Sequence, residues 1–328
     1  VTPTTSGRDG SQPDLVIGVD VGGTKVAAGV VDGAGAVLSS LRRPTPSQQP
    51  SAVADLIGEV VGELRAAVAP QPVRAVGIGA AGLIDRDRSR VLFAPNLAWR
   101  DEPLRDEVSA RTGLPVVVEN DANAMAWGEY RFGAGRGEPD LVCVTVGTGV
   151  GGGIVLDGRL YRGRFGLGGE IGHMQLVTGG RLCGCGNRGC LEAYGSGNAL
   201  VRKARELVTT SPTAGRRLLE LAGGEVGALS GPAVTEAARE GDPLAVKCFE
   251  DVGTWLGRAM ASLASILDPG LFVLGGGVSE AGDLLLAPAR AEFANSLSAR
   301  QHRPEARIVT AQLAAWGGIV GAADLARS

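Results

Sequence analysis

The stretch Val19–Gly33, VDVGGTKVAAGVVDG, returns at Val144–Gly158 as VTVGTGVGGGIVLDG. Val19, Val21, Gly22, Val30, Asp32 and Gly33 coincide with Val144, Val146, Gly147, Val155, Asp157 and Gly158 in one ungapped frame. In each copy an apolar run meets a glycine-rich turn and a second apolar run follows, the pattern of a β-hairpin. Two copies point to two related halves, with chance similarity of two hairpins as the alternative. The boundary between them falls near Gly133–Pro139, inside the glycine-rich RFGAGRGEP.

Outward from the copies, strands and helices alternate. Leu15–Asp20, Val26–Val31 and Val37–Leu41 read as an antiparallel meander that turns at Asp32-Gly33. A helix opens at Pro50 or Ser51, with Val53, Leu56, Ile57, Val60, Val61 and Leu64 on one face. Val73–Gly79 is a strand, and a loop carrying Asp85, Asn96 and Trp99 follows. Pro103 starts a short helix that Gly113 stops, Val116–Glu119 is a strand, and a helix runs through Met125 to Phe132. In the second half Asp242 caps a long helix ended by Pro269-Gly270, Leu271–Leu274 and Arg307–Thr310 are strands, and a last helix spans about Trp316–Ala326. This is α/β architecture.

At 328 residues and 33.4 kDa the chain is long enough for two domains. A net charge of −3 and a pI near 5.6 leave no basic face for nucleic acid or an anionic membrane surface. The uncharged run Leu141–Leu156, which no other exceeds in length, is broken by glycines and falls short of the ~20 apolar residues of a membrane span. Residues 1–14 are polar, lack the apolar core of a signal peptide and read as a disordered lead-in.

Three of the five cysteines, Cys183, Cys185 and Cys190, fall within eight residues, just after His173. Three thiolates and an imidazole complete a tetrahedral shell for Zn²⁺ with no position left for water, which argues for a structural metal. Disulfides or unrelated buried thiols are the alternatives, but Cys183 and Cys185 are too close for an unstrained bridge. The pattern suits a reducing compartment. Glu170 and Glu192 flank the ligands, so a metal that pins His173 and Cys190 also pins two carboxylates.

No Gly-Lys dipeptide occurs, which excludes a P-loop. GIGAAG from Gly77 and GTGVGG from Gly147 match the dinucleotide-binding string, but neither opens a helix. What remains is phosphate held by free backbone N–H groups of hairpin turns. Asp20 at the mouth of the first turn can hold Mg²⁺ through water, and Thr24 adds a hydroxyl. Thr148 and Gly149 serve from the second turn. One such turn is a plain hairpin; the pair, with Gly275, Gly276 and Gly277 ahead of a helix, favours a nucleotide cleft between two domains. A kinase also needs a group to take the proton from the attacking hydroxyl. Asp121, at the carboxyl end of a strand, is either that base or the N-cap of the helix that follows. Asn96, Asn120, Glu170, His173 and Glu192 add the directional polar groups that suit a polyol.

The strings DVGGTK at Asp20–Lys25, END at Glu119–Asp121, VGTGVGGG, ExGH at Glu170–His173, CGCGNRGCLE at Cys183–Glu192 and LGGGVS resemble the ROK sugar-kinase family, and within it the actinobacterial ATP-dependent glucokinases. The resemblance runs from Leu15 to Leu325. It implies an actin/hexokinase-like (ribonuclease H-like) two-domain fold with a duplicated β-meander core and a structural zinc knuckle. The small domain would span residues 15–133, joined by a C-terminal helix at about 314–328, and the large domain 134–313. Asp121 would be the base on the glucose 6-hydroxyl, with Asn96, Asn120, Glu170, His173 and Glu192 on the other hydroxyls. ATP with Mg²⁺ would lie on Asp20, Gly22, Gly23, Thr24, Lys25, Thr148, Gly149 and Gly275–Gly277, and zinc on His173, Cys183, Cys185 and Cys190. A cytoplasmic homodimer or homotetramer is implied, with glucose and ATP as partners.

Three rivals stand beside that reading. Some relatives of this kind are repressors with an N-terminal winged helix, but the residues before Leu15 are too few for one. A zinc-ribbon nucleic-acid module conflicts with the acidic balance. A kinase for fructose, mannose or an N-acetylhexosamine differs by little that a sequence displays, and an added regulatory role would leave no mark.

Overall fold

The computed structural model describes residues 14–94 and 97–327. All of the expected lead-in but Asp14, and Asn96, therefore lie outside the described residues. Strands β1 (Leu15–Val21), β2 (Lys25–Val31) and β3 (Val37–Pro44) form the first meander. Helix α1 (Pro50–Ala67) leads to β4 (Val73–Ala80). Residues expected as loop hold a small sheet of β5 (Leu83–Ile84), β6 (Val91–Phe93) and β7 (Arg100–Glu102). Strands this short carry too few side chains to show an alternating pattern. Helix α2 (Leu104–Thr112), β8 (Val116–Asn120) and α3 (Asp121–Phe132) complete the half.

The second half repeats the plan with β9 (Leu141–Val146), β10 (Val150–Leu156) and β11 (Arg159–Tyr161). Between β11 and the next strand lie the cysteine cluster and helices α4 (Glu192–Gly195), α5 (Gly197–Thr210), α6 (Arg216–Leu221), α7 (Gly231–Arg239) and α8 (Pro243–Leu267). Strand β12 (Leu271–Gly275), α9 (Asp283–Ser296), β13 (Arg307–Thr310) and α10 (Gly317–Leu325) follow.

The first sheet runs β3-β2-β1-β4-β8 and the second β11-β10-β9-β12-β13. In both, the opening hairpins are antiparallel and the last two strands run parallel to the first. The duplication thus covers whole sheets rather than two hairpins. Its frame slips at the turn, however. Val21 pairs with Val26, whereas Val146 pairs with Val150, one residue earlier than an ungapped copy requires. A slip of one residue exchanges the faces of a strand. Val30 therefore packs on the outer side of its sheet, while its sequence twin Val155 packs on the inner side.

Each sheet is covered twice. Helices α1 and α2 pack on the outer face of the first sheet, and α5, α7, α8 and α9 on that of the second. On the inner faces the last helices change places. Helix α3 leaves the first sheet and packs on β9 and β10, and α10 leaves the second and packs on β1 and β4. The two cross in close contact, because a Cβ on Gly321 would overlap the Ala124 carbonyl and one on Gly128 the Gly317 carbonyl. Glu129 of α3, 0% exposed, ties down both passages between the halves. Its Oε2 accepts the N–H groups of Ala134 at 2.8 Å and Gln312 at 3.0 Å, and its Oε1 that of Leu313 at 2.8 Å. Among the described residues, no helix is long and apolar enough to cross a membrane.

Candidate functional site

Parallel strands β1, β4 and β8 bring Asp20, Ala80 and Asn120 to one edge, where α3 begins. Two groups compete to cap that helix, and Asn120 takes the role: its Oδ1 accepts the Asn123 N–H at 3.0 Å. The Asn120 amide nitrogen donates to the Gly82 carbonyl at 3.1 Å. Asp121 stands in the first turn instead, with Oδ1 accepting the neighbouring Ala122 N–H at 2.9 Å. Burial and then the charge of Asp20 push its carboxyl up to about 7. Burial raises the Asp20 carboxyl as well, against the pull of Lys25 and Arg42. A carboxylate poised near neutrality suits proton abstraction.

The two glycine turns lie at the ends of β1 and β9. In the first, the Gly22 N–H closes on the Lys25 carbonyl at 3.0 Å; in the second, the Gly147 N–H closes on the Gly149 carbonyl at 3.0 Å. Gly23 is half-buried, and Thr24, Lys25 and Thr148 are exposed. The N–H of Gly197, at the start of α5, donates to the Gly147 carbonyl at 2.8 Å. Gly275 ends β12, and Gly276 takes a φ of +85° and lies against the backbone of Val146. The helix expected directly after Gly277 is a 3-10 turn, Gly277–Ala281, with α9 starting only at Asp283. Gly282, with a φ of +62°, separates the two.

In the cysteine cluster, ligand atoms of His173, Cys183, Cys185 and Cys190 lie within 4.8 Å of one another. The Cys183 Sγ is 3.6 Å from the His173 Nδ1, and the Cys185 Sγ is 3.7 Å from the Cys190 Sγ. Zinc bonds of ~2.0–2.3 Å in a tetrahedron give edges of about 3.5–3.8 Å, so these residues fit the metal. With Nδ1 turned to the sulfurs, the His173 Nε2 is left facing Glu170, whose Oε2 is 3.8 Å away and whose side chain is 43% exposed. Glu192 joins the cluster to the second turn. Its Oε2 accepts the Val150 N–H at 3.1 Å, and the Cys183 thiol reaches its Oε1 at 3.6 Å. A Cβ on Gly149 would run into the same carboxylate.

Sequence reasoning missed Arg88 and Arg162, which meet the buried Glu119 beside Asn120. Neither arginine is marked by its spacing. The available signal was Glu119 itself, an acid inside an apolar strand that burial obliges to find a partner.

A model of the ROK family matches residues 16–328. A glucokinase of Streptomyces coelicolor is 50% identical over 313 residues, which cover 95% of this chain and 98% of that one. A glucokinase of Thermotoga maritima is 37% identical over 311 residues, 94% of this chain and 96% of that one. The crystal structure of a ROK family glucokinase from Streptomyces griseus in complex with glucose and AMPPNP matches with a TM-score of 0.88 at 51% identity, over 95% of this chain and 99% of that one.

Proposed function

The chain belongs to the ROK family, and on that footing we propose that it is an ATP-dependent glucokinase, moving the γ-phosphoryl group of ATP to the 6-hydroxyl of glucose. The carrying observation is Asp121: the cap of α3 is supplied by Asn120, and a half-buried carboxyl pushed up to about 7 is left at the strand edge. As the 6-oxygen bonds to phosphorus and ADP departs, Asp121 takes the hydroxyl proton. Asn120, Glu170, His173 and Glu192 hold the other hydroxyls by directional hydrogen bonds, and Asn96 belongs to the same set. The turns at Gly22–Lys25 and Thr148–Gly149, with Gly275–Gly277, offer backbone N–H groups to the phosphates. Mg²⁺ bound with the nucleotide would offset the phosphate charge, and Asp20 is the group to hold it through water. Zinc on His173, Cys183, Cys185 and Cys190 is a scaffold that fixes the imidazole opposite Glu170.

The same proposal makes residues 15–133 with 314–328 one closing unit and 134–313 the other. A cytoplasmic location follows from the need for ATP and for reduced cysteine ligands. Assembly into a dimer or tetramer rests on the family resemblance, with light scattering as its check. The test of function is a coupled assay with ATP across glucose, mannose, fructose and N-acetylglucosamine. Glucose-dependent ADP release, with kcat/KM highest for glucose, is expected. Turnover of another hexose in preference to glucose would overturn the assignment.

A further inference from the structure

We infer that Arg162 and Glu119 form a latch across the cleft, which holds the Asn120-Asp121 turn in place and makes glucose affinity depend on an ion pair outside the substrate contacts. The inference deepens the glucokinase reading and rests on it. Glu119 is 1% exposed and ends the strand that delivers Asn120 and Asp121. Its Oε1 accepts the Asn120 N–H at 2.9 Å and the Asn123 side-chain amide at 3.1 Å. Because Asn120 in turn accepts the Asn123 N–H, strand end, cap and first helical turn close into one ring around this carboxylate.

The other oxygen looks outward to two arginines. Glu119 Oε2 lies 2.8 Å from the Arg162 Nε and 3.0 Å from the Arg88 Nε. Arg88 belongs to the same half as Glu119, but Arg162 follows β11 in the opposite half. Its guanidinium, in a side chain 11% exposed, also donates to the Arg86 carbonyl at 2.7 Å and the Asp85 carbonyl at 2.9 Å. One side chain from the second half therefore docks on three groups of the first.

The segment that carries Arg162 continues to Glu170. Gly168 donates its N–H to the Arg162 carbonyl at 2.9 Å. Gly166, at a φ of +87°, lies against Asp85-Arg86, where a Cβ would come within 2.9 Å of the Arg86 nitrogen. Glu170 and Asp121, on opposite walls, thus hang from the two ends of one bridge. If the halves part, Arg162 withdraws and the buried Glu119 charge loses a partner, which disfavours opening. A ligand that needs the closed state binds more weakly in proportion to the fraction closed. The planar guanidinium binds two carbonyls through its Nη atoms while its charge stays 2.8 Å from the carboxylate, an arrangement that the point charge of lysine does not reproduce. Both residues are positioning residues.

The experiment uses full-length Arg162→Met, Arg162→Lys and Glu119→Gln proteins. Glucose is titrated without nucleotide, AMPPNP without glucose, and Tm is recorded for each. Glu119→Gln keeps an oxygen for Asn120 and Asn123 and removes the charge. Arg162→Met should weaken glucose binding about tenfold or more, within the usual range of coupling between sites. AMPPNP affinity should stay within about twofold, and Arg162→Lys should recover part of the loss. Glu119→Gln should act in the same direction, with little added in the double variant, as expected of two residues in one interaction. Unchanged glucose affinity in Arg162→Met overturns the latch. So does a joint fall of glucose affinity, AMPPNP affinity and Tm, which assigns Arg162 a general structural part, and so do fully additive losses. Failure of the glucokinase reading would appear separately, as a wild-type protein that neither binds nor phosphorylates glucose, and it would end the latch with it.

Discussion

Asp121 and Asn120 are neighbours with interchangeable chemistry, since either side chain caps a helix well. Sequence could therefore name the pair and leave the cap open; the backbone turn gives the cap to Asn120, because it points that side chain at the Asn123 N–H. Replacing Asp121 by Asn should lower kcat roughly 10²–10⁴-fold, the range for losing a positioned base, with glucose Kd nearly unchanged. In the wild type kcat/KM should fall as pH drops below about 7, where the carboxyl takes up its proton. The same shift has a sign for stability. Between the ordinary carboxylate range near 4 and the folded value near 7, the unfolded chain has lost this proton and the folded chain keeps it, so stability declines as pH rises. Asp121→Asn should gain on the wild type in Tm across that window and hold a constant advantage above it. A variant that is inactive but no more stable at pH 8 than the wild type would contradict the raised carboxyl.

Among elements, the cysteine cluster was the most legible, because its ligands lie close together in the chain and the ligand chemistry is read residue by residue. The second hairpin was legible as a copy and illegible in register, since nothing in VGTGVGGGIVLDG shows that its turn is one residue tighter. The surroundings of the same turn decide which glycine tests the proposed phosphate contacts. Gly149 is a poor probe because a side chain there strikes Glu192. Gly147 has open space around its Cβ position, so Gly147→Val should raise the KM for ATP tenfold or more by keeping phosphate off the backbone, and leave glucose titrations in place. Loss of glucose affinity alone would refute the assignment of this turn. Cys185 is the exposed ligand of the cluster. Cys185→Ala should yield protein without zinc by elemental analysis and with weakened glucose binding, because His173 and Glu192 lose their common anchor. A zinc-free variant with normal glucose affinity would separate the metal from the sugar site.

At the scale of the molecule, the sequence displayed the duplication through one hairpin, and the equal order of two five-stranded sheets extends it to the whole chain. What no local pattern could display is the destination of the last helices. The Gly317–Leu325 sequence is apolar nearly all round, which says that it is buried and not against what. Glu129 was equally silent: a single acid in α3 is unremarkable until three backbone N–H groups from two distant segments converge on it. Glu129→Ala takes a charged acceptor from three partly buried N–H groups, and hydrogen bonds to charged groups contribute roughly 1.5–3 kcal/mol each. Tm should fall by roughly 5 °C or more, since each kcal/mol is worth a few degrees or less in a chain of this length. A Tm equal to that of the wild type would show that the passages do not depend on this carboxylate.

The change of places between α3 and α10 reaches beyond hinge mechanics. A single half, standing alone, would carry a helix with no sheet beneath it and a sheet face with no helix above it. Two identical halves could each satisfy the other's vacancy and close into a symmetric pair by swapping their terminal segments. The passage at 133–140 is then a tether that makes such a swap unimolecular. Severed there, the two pieces would each be incomplete, and would regain their shape only in each other's company.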